Sequence, residues 1–425
     1  MNARLWGRLL LALMSVLTSA CGGLQPRRVL IAWHALSGPQ ERAFLGLVDR
    51  WNRANPASAF IVPERYPQDA LHRAMLSGPR PALALVEPAQ AALYAQRDLL
   101  ATLNGFADSD DPTVGWQTAD RADLFPFVFQ AGAHPDGRLI GVPFGGDVGL
   151  VLANRALLQE ANMPATWADF DRLCSTTANP LAGVFCFGFD LNDPWTLEDW
   201  VRARGAPIYD PLTRQPALTA PGIGAAIESL ADYLDTGQAY RVSSAARSQD
   251  DFAAGRAVFL LANSRDVPTI QGLVSEGENF ALDLGALPAP AERPAASLSA
   301  PLWVIPKGAP QDERAAWLFI RWLLEADQTA AWAVQTNTLP ARASALAKLA
   351  SNAQQPADAL RVKLISQIAP RAQAAPLLAG WPCVKNALVG AARQIIELGQ
   401  PTADALAVAQ AKAQRIAKEP CEQEG

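Results

Sequence analysis

Residues 29 to 51 read Val-Leu-Ile-Ala-Trp-His-Ala-Leu-Ser-Gly-Pro-Gln-Glu-Arg-Ala-Phe-Leu-Gly-Leu-Val-Asp-Arg-Trp. The run from Val29 to Trp33 is continuous and apolar, the length of a buried strand. After Gly38-Pro39 the apolar residues recur at Phe44, Leu47, Val48 and Trp51, which is helical spacing, with Pro39 in the first turn where its missing N–H costs nothing. A buried strand feeding a helix is the unit of an α/β fold, and the rest of the chain repeats it. Ala82 to Val86 is another buried run, ending at Glu87, and Gly149 to Ala153 is a third. Thr166-Trp167-Ala168-Asp169 predicts a capping box at a helix start, and Ser248 to Asp251 repeats that signature before Phe252. Ala257 to Ala262 and Leu302 to Ile305 are strand-like again. Strands alternating with helices predict an α/β fold with mainly parallel sheets. The last third is helical: Asp312 to Glu325 is amphipathic, Val384 to Leu398 ends at Gly399, a natural C′ residue, and Thr402 to Lys418 follows.

Outward from this core, the amino end reads as an export signal. Arg4 and Arg8 precede the apolar run Leu9 to Val16, and the small residues Ser19-Ala20 stand directly before Cys21. That run is too short to span a bilayer, which takes about twenty apolar residues. Residues 1–20 are therefore expected to be a removable signal peptide, placing the remainder in the periplasm or at the cell exterior. The segment resembles the lipobox of bacterial lipoproteins, in which the cysteine after the cleavage point receives lipid. Thr18 stands where a lipobox carries leucine, with Leu17 one residue earlier, so ordinary signal-peptidase cleavage stays open. With Cys21 lipidated, residues 21–28 form a leash from the membrane.

The chain holds five cysteines, an odd number, and setting Cys21 aside leaves four. Cys174 and Cys186 can close a small loop and Cys383 and Cys421 can make the other pair, since an exported protein permits disulfides; buried free thiols are the alternative. Neither pair has metal-ligand spacing. Half of the residues are hydrophobic and the net charge is −5. A chain of this size exceeds what one core holds, so two lobes are expected, with the Pro- and Ala-rich stretch Leu287 to Ser299 as a crossing between them. Its acidity and the lack of a basic cluster exclude a general nucleic-acid binder.

Catalytic signatures are sparse. There is no G-x-S-x-G elbow, no H-E-x-x-H and no P-loop, and the three histidines His34, His72 and His134 are scattered. Gly222-Ile223-Gly224 lacks the third glycine of a dinucleotide fingerprint and reads as a helix start after Pro221. No cofactor and no metal are expected.

One family brings the remaining motifs together. Ile31-Ala32-Trp33-His34-Ala35-Leu36-Ser37-Gly38 with Trp51-Asn52 and Asn55-Pro56, then Asp123-Leu124-Phe125-Pro126, Gly141-Val142-Pro143-Phe144, the strand ending at Asn154 and Met163-Pro164-Ala165-Thr166-Trp167, occur in the order of the family 1 extracellular solute-binding proteins. Asp251-Phe252-Ala253-Ala254-Gly255, Leu302-Trp303-Val304, Ala315-Ala316 and Leu339-Pro340 continue it. The chain resembles these sugar and glycerol-phosphate receptors of ABC importers. The resemblance implies a periplasmic-binding-protein-like fold: two α/β lobes joined by crossing hinge segments, with a helical C-terminal region. Lobe one would comprise 29–138 with 290–326, and lobe two 143–286 with 330–420.

It also implies a monomer that carries a small carbohydrate to permease subunits, without catalysis. Glu87 and Asp147 match places where the family contacts ligand, and a carboxylate can accept hydrogen bonds from neighbouring sugar hydroxyls. Asn263, Ser264 and Ser299 match ligand-facing loops, and His34 and Ser37 end the first strand. Trp195 corresponds to a tryptophan that packs on ligand, and Trp381 falls near a region that closes the cleft; an indole suits the C–H face of a pyranose. Trp33, Trp317 and Trp322 are expected to be mainly structural. Thr338 precedes Leu339-Pro340 where the glycerol-phosphate receptors carry tyrosine, and Leu377 to Trp381 contains no arginine. That favours a neutral carbohydrate over a phosphorylated one. The alternatives are an exported glycosidase using Glu87 and Asp147, or a bilobal lipoprotein with a sensing or assembly role.

Overall fold

The computed structural model describes residues 27–289, 296–351, 362, 365, 368–369, 372–419 and 421. Cys21, the expected signal peptide, most of the leash and part of the crossing stretch lie outside the described residues.

The first sheet has the order β12-β3-β1-β2, formed by β1 (Val29–His34), β2 (Phe60–Arg65), β3 (Leu83–Val86) and β12 (Leu302–Val304). β1 pairs in parallel with β2 and β3, while β12 runs antiparallel to β3. The helix Gly38–Ala54 buries Phe44, Leu47, Val48 and Trp51, the stripe its spacing predicts. Trp51 Nε1 donates to the carbonyl of Ala59 at 2.9 Å, which ties the end of that helix to the entry of β2.

The second sheet is built around β4 (Gly145–Asn154), ten residues long and buried throughout. β9 (Phe259–Asn263), β10 (Leu282–Gly285), β11 (Ala296–Ser299) and β13 (Leu339–Pro340) all pair with β4 antiparallel, and β14 (Ala372–Ala374) joins β11 in parallel. β9 and β10 both pair with β4 over Val151–Ala153, so they flank it on opposite sides. The expectation of mainly parallel sheets therefore holds for the first sheet and fails for the second. Parallel pairing needs each strand to return through a helix to the same sheet. After β4 the next strands do not return there: β5 (Phe187–Phe189) pairs with β8 (Ala239–Arg241), and β6 (Tyr209–Asp210) with β7 (Gln215–Pro216), in separate small sheets. The partners of β4 arrive more than a hundred residues later and from the opposite direction.

Thr166 and Asp169 form the capping box as read, with the N–H of Asp169 on Thr166 Oγ1 at 3.1 Å and the N–H of Thr166 on Asp169 Oδ2 at 3.3 Å. The matching reading at Ser248 is corrected. The helix runs Ala245–Ala253 and is capped by Ser244, whose Oγ accepts from the N–H of Arg247 at 3.2 Å. Ser248 lies a turn inside it. Asp251 is held by the Tyr240 hydroxyl at 3.0 Å, by Arg247 at 3.1 Å and by Arg256, so its carboxylate does not turn back to a backbone N–H.

The helices Trp381–Leu398 and Thr402–Ile416 pack together, with Gly399 left-handed at φ 63° between them. Disulfides join Cys174 to Cys186 and Cys383 to Cys421. The core of the first sheet continues through Phe144, Val148 and Leu298 into the second. A separate core around Trp200, Phe170, Phe187 and Phe259 lies under the other face of β4. The chain passes between the sheets near Val142 and Trp303, which exchange backbone hydrogen bonds at 3.0 Å in each direction. It passes again after β13, where the carbonyl of Ala341 accepts from the N–H of Phe125 at 2.9 Å.

Candidate functional site

The edges of the two sheets face one another across a cavity of about 140 Å³. Because β1 and β3 are parallel, their carboxyl ends reach the same edge, and the residues that follow them line the cavity: Ala35, Leu36 and Ser37 after β1, and Glu87 after β3. Ser37 and Glu87 are the residues immediately before the helices Gly38–Ala54 and Pro88–Gln96. Gln40, Gln68 and Leu85 complete that wall. The opposite wall is the start of β4, Gly145 to Asp147, with Arg265 after β9, Ser299 at the end of β11, Thr338 before β13, and Phe144, Pro301 and Trp332. The antiparallel register explains the gathering, since Ser299 lies opposite Asp147 and Leu339 opposite Gly146.

Two glycines make this wall possible. A Cβ on Gly145 would stand 2.8 Å from the Leu339 carbonyl and 3.1 Å from Trp332 Cδ1, and one on Gly146 would stand 2.8 Å from the Ser299 carbonyl. Their bareness lets β13 and the Trp332 indole approach the backbone, and Trp332 in turn packs on Phe144 with ring centroids 4.4 Å apart.

Asp147 is 4% exposed. Its Oδ2 lies 3.3 Å from Arg265 Nη1, while Oδ1 has no hydrogen-bond partner. Burial pushes its carboxyl up to about 6 against the pull of Arg265, and Asp266 and Glu87 push the same way. Glu87 is exposed toward the cavity, yet the protein around it raises its carboxyl above the usual range, against Arg265 and Lys385. Its open surface lets water and counter-ions temper that shift.

Ser37, Glu87, Asp147 and Ser299 thus meet at one cavity. The other expected residues stand elsewhere. His34 is 1% exposed, edge-on to Phe44 with centroids 5.1 Å apart, and burial lowers its pKa. Asn263 Oδ1 accepts from the N–H of Arg265 at 3.2 Å, shaping the turn that presents Arg265. Ser264 Oγ accepts from the N–H of Val148 at 3.2 Å and borders a separate void of about 20 Å³. Trp195 is partly buried at the start of the helix Pro194–Ala203, with Lys385 Nζ 5.4 Å from its ring centroid, and does not line the cavity. Trp381 is 3% exposed and packs edge-on against Tyr209 in the second core.

Sequence reasoning missed Arg265, Trp332, Gln40 and Gln68. Arg265 adjoins Asn263-Ser264 and was within reach of that reading; Trp332 gives no signal beyond an aromatic on a buried helix. Among the described residues no group of His, Cys, Asp and Glu is arranged to hold a metal ion, and no helix is long and apolar enough to cross a membrane. The walls offer acceptors, donors and one cation on two facing edges, an arrangement suited to holding a small polar molecule.

The family model described as bacterial extracellular solute-binding protein matches residues 64–359. No curated protein matches the chain. Among solved structures, the cyclic alpha-maltosyl-1,6-maltose binding protein of Arthrobacter globiformis is 20% identical with a TM-score of 0.76, covering 92% of this chain and 99% of its own. The sugar-binding protein MalE of Xanthomonas citri is also 20% identical, with a TM-score of 0.76 and coverage of 92% and 97%. The GacH receptor of Streptomyces glaucescens, solved unliganded and with acarbose, is 15% identical, with a TM-score of 0.72 and coverage of 93% and 100%.

Proposed function

The chain belongs to the bacterial extracellular solute-binding proteins, and from that premise we propose that it captures a sugar or polyol between its lobes and delivers it to the permease of an ABC importer. The observation that carries this reading is the cavity itself, whose hydrogen-bonding groups come from both sheets: Ser37 and Glu87 on one side, Asp147, Arg265 and Ser299 on the other. A ligand that bridges the two walls bonds better to the closed arrangement than to an open one, and that difference is what drives closure. The solved sugar-binding proteins of the same fold support a carbohydrate as the guest. Arg265 is engaged by Asp147 and is not a free guanidinium for a phosphate, which supports an unphosphorylated ligand.

In this reading the lobes are 29–138 with 290–326 and 143–286 with 330–420, lipid on Cys21 holds a monomer at the membrane, and no bond of the ligand is broken. Thermal shift against a panel of mono- and disaccharides and polyols tests it. A saturable rise in Tm with at least one of them is expected; a folded, ligand-free protein that responds to none contradicts it. Release of product from a glycoside by the purified protein would favour an exported glycosidase instead.

A further inference from the structure

The charges around the cavity do not balance. Glu87 and Asp147 both border it, and among its described lining residues Arg265 is the one cation. Arg265 is half exposed, so solvent shares its charge, and Asp266 stands 4.0 Å from its Nε as a further anion. Lys385, the next cation, is turned to Glu198, 3.6 Å away, and to the Trp195 ring. Asp147 is more than nine-tenths buried, and only one of its oxygens meets Arg265 while Oδ1 has no partner. An ionised carboxylate offers about four acceptor sites, and leaving a buried one under-used is unfavourable.

Resting on the carbohydrate reading above, we propose that the ligand of this cleft carries a protonated amine on its hydroxylated frame, as an amino sugar does, and that the ammonium sits between Glu87 and Asp147. An ammonium brings three N–H donors and a full positive charge, which the two carboxylates share. A hydroxyl brings one donor and no charge. A phosphorylated or carboxylated sugar meets two carboxylates for one guanidinium, and repulsion works against it. The raised pKa values of Glu87 and Asp147 fit the same picture of carboxyls short of positive partners.

Isothermal titration calorimetry at pH 7 tests this with glucosamine, galactosamine and the chitosan disaccharide, each against its neutral parent and its N-acetyl form, and with glucose 6-phosphate. At least one amine-bearing sugar is expected to bind tighter than its neutral parent by about tenfold or more, an advantage of about 1.4 kcal/mol. N-acetylation, which removes the charge, should erase that advantage. D147N should bring the amine down to the affinity of its parent, and R265Q, which removes the cation that competes for Asp147, should raise the affinity for the amine relative to that for its neutral parent. If neutral sugars, here or in the wider panel, bind as well as the amines, or if glucose 6-phosphate binds best, the inference falls and the carbohydrate reading stands. If no carbohydrate of any kind binds, both fall together.

Discussion

Asp199, 3% exposed, lies in a notch of β4. The notch is Gly149, where a Cβ would stand 1.9 Å from Asp199 Oδ2, and the carboxyl accepts from the N–H of Ser297 at 2.8 Å. Burial raises its pKa from 3.8 to about 7, Glu198 adds to the rise, and Ser297 and Arg202 oppose it. Between those two values the folded protein holds a proton that the unfolded chain has released, so stability is full below the lower value and falls as pH rises through the window. In D199N that loss is removed. The variant should gain on the native protein between pH 4 and pH 8 by up to on the order of 4 kcal/mol, read from urea unfolding at both pH values; the same difference at each pH would contradict it. Asp199 drew no attention in the sequence because its role depends on a glycine fifty residues away and a strand ninety-eight residues on. The positions of Glu87 and Ser37 at the sheet edge were legible because each follows a strand that reads clearly and stands directly before a helix. The tryptophans were not: Trp195 and Trp381 open their helices while Trp332 lies in the middle of Ala326–Thr336, and only tertiary packing puts Trp332 at the cavity.

At the scale of elements, the helices were easier to read than the sheets. A stripe such as Phe44, Leu47, Val48 and Trp51 declares both helix and buried face. Strand direction leaves no such trace, which is why the antiparallel neighbours of β4 came as a correction, and the glycines at its start hid four of its ten residues. Those glycines make a test. Gly145→Ala forces a Cβ against the Leu339 carbonyl, where backbone has little room to yield, and should cost about 1 to 3 kcal/mol of stability. An unchanged urea midpoint would show that β13 is free to shift. The Cys383–Cys421 bridge closes a loop with a sequence separation of 38, and its removal in a Cys383→Ser, Cys421→Ser double variant should cost about 4 kcal/mol by chain entropy. A Tm equal to that of the native protein would mean the two C-terminal helices hold their register without it.

Over the whole molecule, the two sheets share one continuous core through Phe144, Val148 and Leu298, and specific polar contacts join them at the crossings. Val142 and Trp303 pair where the chain crosses, Arg342 reaches back from beyond β13 to Asp120 at 3.1 Å and Asp123 at 3.3 Å, and Arg214 at the tip of the β6–β7 hairpin donates to the carbonyl of Pro135. In the proposed closure the lobes turn about the short crossing segments, and the core around Trp200, which is separate from the shared one, moves as a unit with β4. The bilobal plan was legible from the order of motifs, because that order is set by connectivity and survives where single residues vary. Small-angle X-ray scattering on the protein, titrated with the tightest-binding sugar of the thermal-shift panel, tests closure most directly. The account predicts a radius of gyration that falls and saturates as the site fills. A radius that stays constant while the sugar is bound would contradict it.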